Sequence, residues 1–395
     1  MSGQAMAAGQ VRISNPSLGR RFYCLCAYEF AVMCCFYLPL SAAPAHSVQH
    51  GGSLGAGMLT TVLMAGTVVG ELAAARLVAM LGRRLVSAAA MLMLALPAPL
   101  IFSSDLTLAV GASLLRGVGL GFILVAAGGL AVAIAPLARR SEALGIYGLA
   151  AGLPAIICVP LGLWVLEYGS AFAVASATVT GGLVALPLLS VFPANEERLS
   201  AESCQFPWRS QVWPALTLAS GAVLAGAVIT FLPLYAEEVG KSFVSTALFL
   251  HGLAAALSRL AAGRYGDRHG PLGLVFAGLL ATVAGAVLLA ALSGPVLITV
   301  GVATLGLGFG LLQSGSLSLM LARAPRGQAD AVSAAWNIAY DAGLGAGGLG
   351  IALISIGLGF ADTFLLLALA TAALLAPLLR PSKLARPLGV ASLPS

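Results

Sequence analysis

The feature that limits this chain most is a series of uncharged runs, such as Ser170 to Ala194 and Leu85 to Ser104. Each is long enough to cross a hydrocarbon core of ~30 Å as a helix. Water is a poor solvent for such a chain. Its 20 basic and 14 acidic residues make 9% of 395, against about a quarter in a soluble protein. With 59% apolar residues and a mean hydropathy of +1.00, the expected partner is the lipid bilayer. A soluble enzyme, a disordered linker and a collagen-like rod are excluded. The net charge of +6 does not point to nucleic acid, because the basic residues are scattered in pairs between apolar segments instead of forming one basic face.

Charges and Pro or Gly punctuation cut the chain into twelve apolar segments, near 22–44, 54–75, 85–104, 106–136, 144–166, 171–192, 212–235, 243–262, 272–292, 296–322, 331–356 and 363–379. Backbone in lipid must satisfy its own hydrogen bonds, and strand-like alternation is absent, so helices are expected and barrel strands are not. The fold class that follows is an all-α membrane protein of twelve transmembrane helices. Of the 20 basic residues, 18 fall at the two termini or at even-numbered connections; Lys241 stands on the other side and Arg116 lies inside a helix. The positive-inside rule then puts both termini in the cytoplasm. The first apolar stretch runs the length of a span, with no short apolar core and cleavage site before it, so no cleaved leader is expected. Eighteen Arg against two Lys, with abundant Ala and Gly, suits a GC-rich bacterial genome and hence the inner membrane. The six cysteines (Cys24, Cys26, Cys34, Cys35, Cys158, Cys204) form neither a CxxC pair nor a zinc spacing.

The two halves repeat. A shift of 187 residues matches Gly119-Leu120-Gly121-Phe122 with Gly306-Leu307-Gly308-Phe309, Gly128 with Gly315 and Leu130 with Leu317. A shift of 188 matches Gly82 with Gly270, Glu142 with Asp330 and Leu161-Gly162 with Leu349-Gly350. This predicts two six-helix bundles related by pseudo-symmetry, residues 1–192 and 214–395, joined by a polar cytoplasmic linker at 193–213. Parallel repeats of this kind mark a carrier that rocks about a central site.

Residues 263–270 read Gly263-Arg264-Tyr265-Gly266-Asp267-Arg268-His269-Gly270, with Arg259 just before them. This resembles the G-x-x-x-D-R-x-G signature of the major facilitator superfamily, placed in the loop between helices 8 and 9. The loop between helices 2 and 3 keeps Gly82, Arg83 and Arg84 but has Ala75 and Ala79 where that family usually has Gly and Asp. Helix 4 carries Arg116 followed by Gly117, Gly119 and Gly121, similar to the family's R-x-x-x-G motif. Gly145, Gly148, Gly152, Pro154, Pro160 and Gly162 in helix 5 resemble its antiporter motif. The resemblance implies a major facilitator fold, two conformational-switch loops (Arg259, Gly263, Asp267, Arg268, Gly270; Gly82, Arg83, Arg84), and a place near the twelve-span drug:proton antiporters.

Four ionisable residues sit deep in spans: Glu29, Arg116, His251 and Asp341, each ~12 to 16 Å inside at ~1.5 Å per residue. Such groups are costly unless paired or wet, so they are functional candidates. Glu29 is the first candidate for a proton carrier, with Arg116 as its partner. The roles that acidic helix-1 and Arg helix-4 residues have in the resembled antiporters point the same way. A static Glu29–Arg116 bridge is the bland alternative. Asp341 shares a stripe with Ser333 and Asn337 at i, i+4 and i+8, beside Trp336 and Tyr340; the stripe either lines a cavity or bonds a neighbouring helix. His251 is either an interhelical donor or a relay. His46 and His50 stand four apart but in the first external loop, so no metal site is expected. Glu71 and Arg76 read as interfacial and structural, Glu237 and Glu238 as solvated. The glycines at 343, 345, 347, 348 and 350 lie in an apolar span and suit close packing better than a phosphate loop.

Sugar and peptide carriers need many polar side chains, whereas Gln313 and Asn337 are the in-span amides apart from the borderline Gln211. Aromatic residues (Phe36, Tyr37, Tyr147, Phe231, Trp336, Tyr340) offer adaptable apolar surface to a small-molecule substrate. With His251 neutral, the deep fixed charges sum to −1, which tolerates a proton or a cationic amphipathic compound. The expectation is a monomeric, proton-coupled efflux carrier for drugs or secondary metabolites. The proton gradient is its energy source and no cofactor is needed. The alternative is uptake or export of one small organic acid or metal chelator, with Arg116 and His251 as anion ligands. A membrane-embedded enzyme would need clustered catalytic side chains at a membrane face, and none is visible.

Overall fold

A computed structural model describes residues 18–136, 140–192, 207–235, 241–291, 294–325 and 328–378. These form ten α-helices: α1 (Arg20–Leu81), α2 (Arg83–Ala95), α3 (Leu106–Ile134), α4 (Arg140–Tyr168), α5 (Ala171–Ala185), α6 (Trp208–Phe231), α7 (Lys241–His269), α8 (Pro271–Ala290), α9 (Gly294–Arg323) and α10 (Ala329–Ala373). Short 3-10 turns follow α5 and α6 and join α2 to α3, and among the described residues there is no strand. Ten helices are long and apolar enough to cross a membrane. The protein is therefore a multi-pass membrane protein. Of the linker expected at 193–213, residues 193–206 lie outside the described residues, as do Glu237, Glu238 and the basic residues beyond 378, while Trp208 to Trp213 already belong to α6.

Two helices are far too long for one crossing. The 62 residues of α1 would reach about 93 Å, three hydrocarbon thicknesses. Both are broken at a glycine: Gly52 (φ 60°, ψ −160°) in α1 and Gly359 (φ 77°, ψ 167°) in α10. Left-handed backbone costs an L side chain its Cβ clearance, so one glycine reverses the chain where a longer loop is expected from the sequence. Each helix thus has two arms, 20–51 and 53–81 in α1, 329–358 and 360–373 in α10.

α1 packs along α3, α4 and α5, while α9 packs on α6, α7 and α8, and α10 on α6 and α8. The two groups meet where α1 crosses α10 and α6, and where α4 crosses α7. Glycine faces make the close crossings. In α3, a Cβ at Gly117, Gly119 or Gly121 would run into the backbone at Leu63, Ala90 and Thr67; in α9, Gly306, Gly308 and Gly310 meet His251, Gly278 and Ala255. The partners are offset by 188 residues and the glycines by 189. The internal repeat is therefore a repeat of contacts. The 187-residue match of Gly119–Phe122 with Gly306–Phe309 is two residues out of this packing register, because alternating glycines allow two alignments and only contact chooses between them.

Candidate functional site

The central crossing joins the two groups of helices. The 53–81 arm runs antiparallel to α10, with Gly57 against Gly348 and Met64 against Gly345. α4 meets α7 in the equivalent place, Ile156 against Gly252, again offset by 188 and 189 residues. Two hydroxyls tie the crossing: Thr60 and Thr230 share a 3.0 Å hydrogen bond, and Thr61 inserts into α10. Its Oγ1 donates to Gly345 O and accepts from Leu349 N at 2.8 Å, so it occupies the rung that would join those two backbone groups.

Three carboxyl groups of α1 and α10 lie buried: Glu29, Asp341 and Glu71, at 1%, 6% and 7% exposure. Glu29 is hydrogen-bonded to Tyr147 of α4, while its Oε2 is enclosed with no partner. With Met64 opposite Gly345, residue 68 is level with Asp341, and Glu71 lies about 4.5 Å further on. Both carboxyl oxygens of Glu71 are enclosed without a hydrogen bond, and the charge of Asp341 acts on it. Glu71 is thus drawn into the site from what its sequence position suggests is an interfacial place. Its spacing from Met64 and Thr67, one helical face, is the signal that could have found it.

Arg116 is 1% exposed. It reaches backbone and not Glu29: Nη1 donates to Leu94 O at 2.6 Å and Nη2 to Cys35 O at 2.9 Å. Among the described residues no ion pair joins it to Glu29. Cys35 is six residues, about 9 Å, beyond Glu29 along the helix, so the guanidinium sits a turn and a half away from the carboxylate. The reason for its partners is chemical. Cys35 O would take its helical hydrogen bond from residue 39, which is Pro39 and has no N–H. Leu94 O stands where α2 gives way to 3-10 turns. The second group of helices repeats the device: Arg323 Nη1 donates at 3.2 Å to Ser210 O, the carbonyl four residues before Pro214.

The aromatic residues fall into two sets. Tyr37 is hydrogen-bonded to Tyr340 across the crossing. Tyr340 packs on Trp336 at 5.7 Å and on Phe309 at 5.6 Å, and Phe309 stacks on His251 at 6.3 Å. Phe309 is a member the sequence reading missed. His251 Nδ1 bonds Val302 O at 3.1 Å, so it is an interhelical donor here. Trp336 Nε1 donates to Ser316, and Arg259 Nη1 to Gln313 Oε1 at 3.1 Å. Asn337 is half-buried on α10 between Trp336 and Asp341. Phe231 is set apart: it is 1% exposed and packs on Phe360. Phe36 packs on Tyr37 and, with Arg116, lines a cavity of about 20 Å³, room for one water.

The two switch segments are helical, where loops are expected. α1 continues to Leu81 and α7 to His269, each ended by one glycine of nearly the same conformation, Gly82 (φ 81°, ψ 149°) and Gly270 (φ 79°, ψ 165°). Arg83 Nη1 donates to Ala126 O at 2.8 Å, and Arg84 is exposed. The side chains at Gly263, Arg264, Asp267 and Arg268 lie outside the described residues. His46 Nε2 bonds Phe102 O at 3.1 Å, and among the described residues no group of three metal-ligating side chains exists.

The family model described as "Major Facilitator Superfamily" matches residues 25–348. Among solved structures, a POT family transporter in complex with 5-aminolevulinic acid is similar with a TM-score of 0.75 at 12% identity, over 92% of this chain and 96% of that one. A nucleoside transporter is similar at 0.65 and 14%, over 90% and 99%. A bacterial homolog of the human lysosomal transporter Spinster, in an inward-facing and unoccupied conformation, is similar at 0.66 and 15%, over 92% and 96%. No curated protein matches the sequence.

Proposed function

Because the chain belongs to the major facilitator superfamily, we propose that it is a twelve-span secondary carrier which exports cationic or amphipathic small molecules in exchange for protons. The bends at Gly52 and Gly359 support the span count, since each turns one helix into two crossings. The basic residues support cytoplasmic termini. The two six-helix bundles rock about the crossing of the 53–81 arm with α10, exposing the site to one side and then the other.

The observation that carries the cargo class is an aromatic cluster beside buried acid. Tyr37 and Tyr340 lie beside Asp341, Trp336 and Phe309 pack on Tyr340, and Glu29 and Glu71 are further buried acids. Arg116 forms no ion pair with Glu29 among the described residues and gives its two terminal nitrogens to carbonyls, that of Cys35 being about 9 Å further along the helix. Aromatic faces and carboxylates together favour a desolvated cation. Glu29 carries the exchanged proton, Tyr147 holds its carboxyl in place, and cargo from inside competes with the proton from outside. The reading of Arg116 and His251 as anion ligands for an organic acid is the second candidate. It has less support, since His251 Nδ1 is also bonded to backbone.

Inverted vesicles energised acid-inside separate the two. Lipophilic cations, neutral polyketide-like compounds and organic acids are added in turn while lumenal pH is followed. Proton release on adding cations supports the proposal. Release with one organic acid alone replaces it with the second reading.

A further inference from the structure

The site just proposed uses Glu29 as its proton carrier and leaves Glu71 without a task. Glu71 is 7% exposed, with both carboxyl oxygens enclosed and without a hydrogen bond. It stands on the 53–81 arm, in the first group of helices, whereas Asp341 stands on α10, in the second. The register of the crossing separates their levels by about one helical turn. The charge of Asp341 acts on Glu71. The other ionisable groups on the Asp341 side are Tyr37 of the 20–51 arm and the groups that act on it, Tyr340 from α10, Arg259 from α7 and Glu29 from the 20–51 arm. α3 offers glycine backbone to Glu71, at Gly121. α6 meets α10 beside Asp341 with Ala219 and Ala222 against Gly343.

Two ionised carboxylates buried on packed helices at neighbouring levels repel each other, and among the described residues neither oxygen of Glu71 has a hydrogen bond to offset the cost. One proton between them removes the repulsion and turns one acid into a donor. We propose that Glu71 and Asp341 form a second proton site, split between the two groups of helices, in which the two carboxyls hold one proton in common. The site deepens the proton-coupled reading, because it exists only while the 53–81 arm and α10 stay in register. Rocking that moves one past the other changes how firmly the proton is held.

The test uses dicyclohexylcarbodiimide, which modifies protonated carboxyl groups in apolar surroundings, on the purified full chain with no cargo present. Labelling at Glu71 and Asp341 is read by peptide mass spectrometry across a pH series. A shared site predicts mutual dependence. In Asp341→Asn the labelling curve of Glu71 is displaced by about one pH unit or more, because the native pair must keep one proton and a lone carboxyl need not. In Glu71→Gln the curve of Asp341 is displaced likewise. Identical Glu71 curves with and without Asp341 overturn the proposal. The reciprocal variant decides the matter if the first one fails to fold. No transport is measured, so loss of the efflux reading leaves this result standing, and independent titration here leaves Glu29 coupling untouched.

Discussion

If Arg116 serves as the hydrogen-bond donor that Pro39 removed, its loss and the loss of the proline must partly cancel. Arg116→Met strands two buried carbonyls, Cys35 O and Leu94 O, which now accept at 2.9 and 2.6 Å. A buried acceptor left without a partner costs about 1–3 kcal/mol, so the variant is destabilised by roughly 2–5 kcal/mol in total. Pro39→Ala puts an N–H back where it can reach Cys35 O and leaves Leu94 O as it was. The Arg116→Met loss should therefore be smaller in the Pro39→Ala background by about 1 kcal/mol, the size of hydrogen-bond couplings measured between membrane helices. Unfolding of the purified protein in mixed micelles by titration with sodium dodecyl sulfate gives the four free energies of the cycle. Effects that add to within about 0.3 kcal/mol would refute the reasoning, since Cys35 O would then owe nothing to Arg116.

Thr61→Val keeps the shape at the α1–α10 crossing but removes the hydroxyl from the Gly345–Leu349 rung. It should weaken the crossing by about 1 kcal/mol and change amide exchange at Leu349, whereas Thr61→Ser leaves both near native. Gly117→Ala drives a Cβ into the Leu63 carbonyl and should prevent accumulation of folded protein, while Gly128→Ala, with nothing within 4 Å of the new Cβ, should be neutral or stabilising by about 0.5–1 kcal/mol. Gel filtration and thermal melts of the two glycine variants check the contrast. Equal behaviour would contradict the α1–α3 packing.

What could be read in the sequence was whatever depends on composition and order along the chain. The helices and the glycine-rich packing faces are both of this kind. What could not be read depends on which atoms meet. Pairing Glu29 with Arg116 followed from charge and depth alone. The structure satisfies the guanidinium with carbonyls instead, and the clue was Pro39 four residues after Cys35, a backbone cause invisible to charge counting. Glu71 sits near one end of its apolar segment, where a carboxylate would ordinarily reach water. Only the register with α10 brings it to Asp341. Phe231 and Phe309 are alike in sequence terms, both aromatic and both in apolar segments. Both are buried, but the rotation of each helix sets one against Phe360 and the other against His251 and Tyr340. Helical periodicity was too weak to foretell this, because these helices are apolar on every side.

The central claim is that Glu29 carries the proton that is exchanged for cargo. Its most direct test reconstitutes the protein and Glu29→Gln in vesicles with a cargo from the panel above. The two modes compared are accumulation driven by a pH gradient, and exchange of labelled for unlabelled cargo with no gradient. The account predicts that Glu29→Gln loses driven accumulation and keeps exchange at a rate near native. Driven accumulation that survives in Glu29→Gln would contradict it.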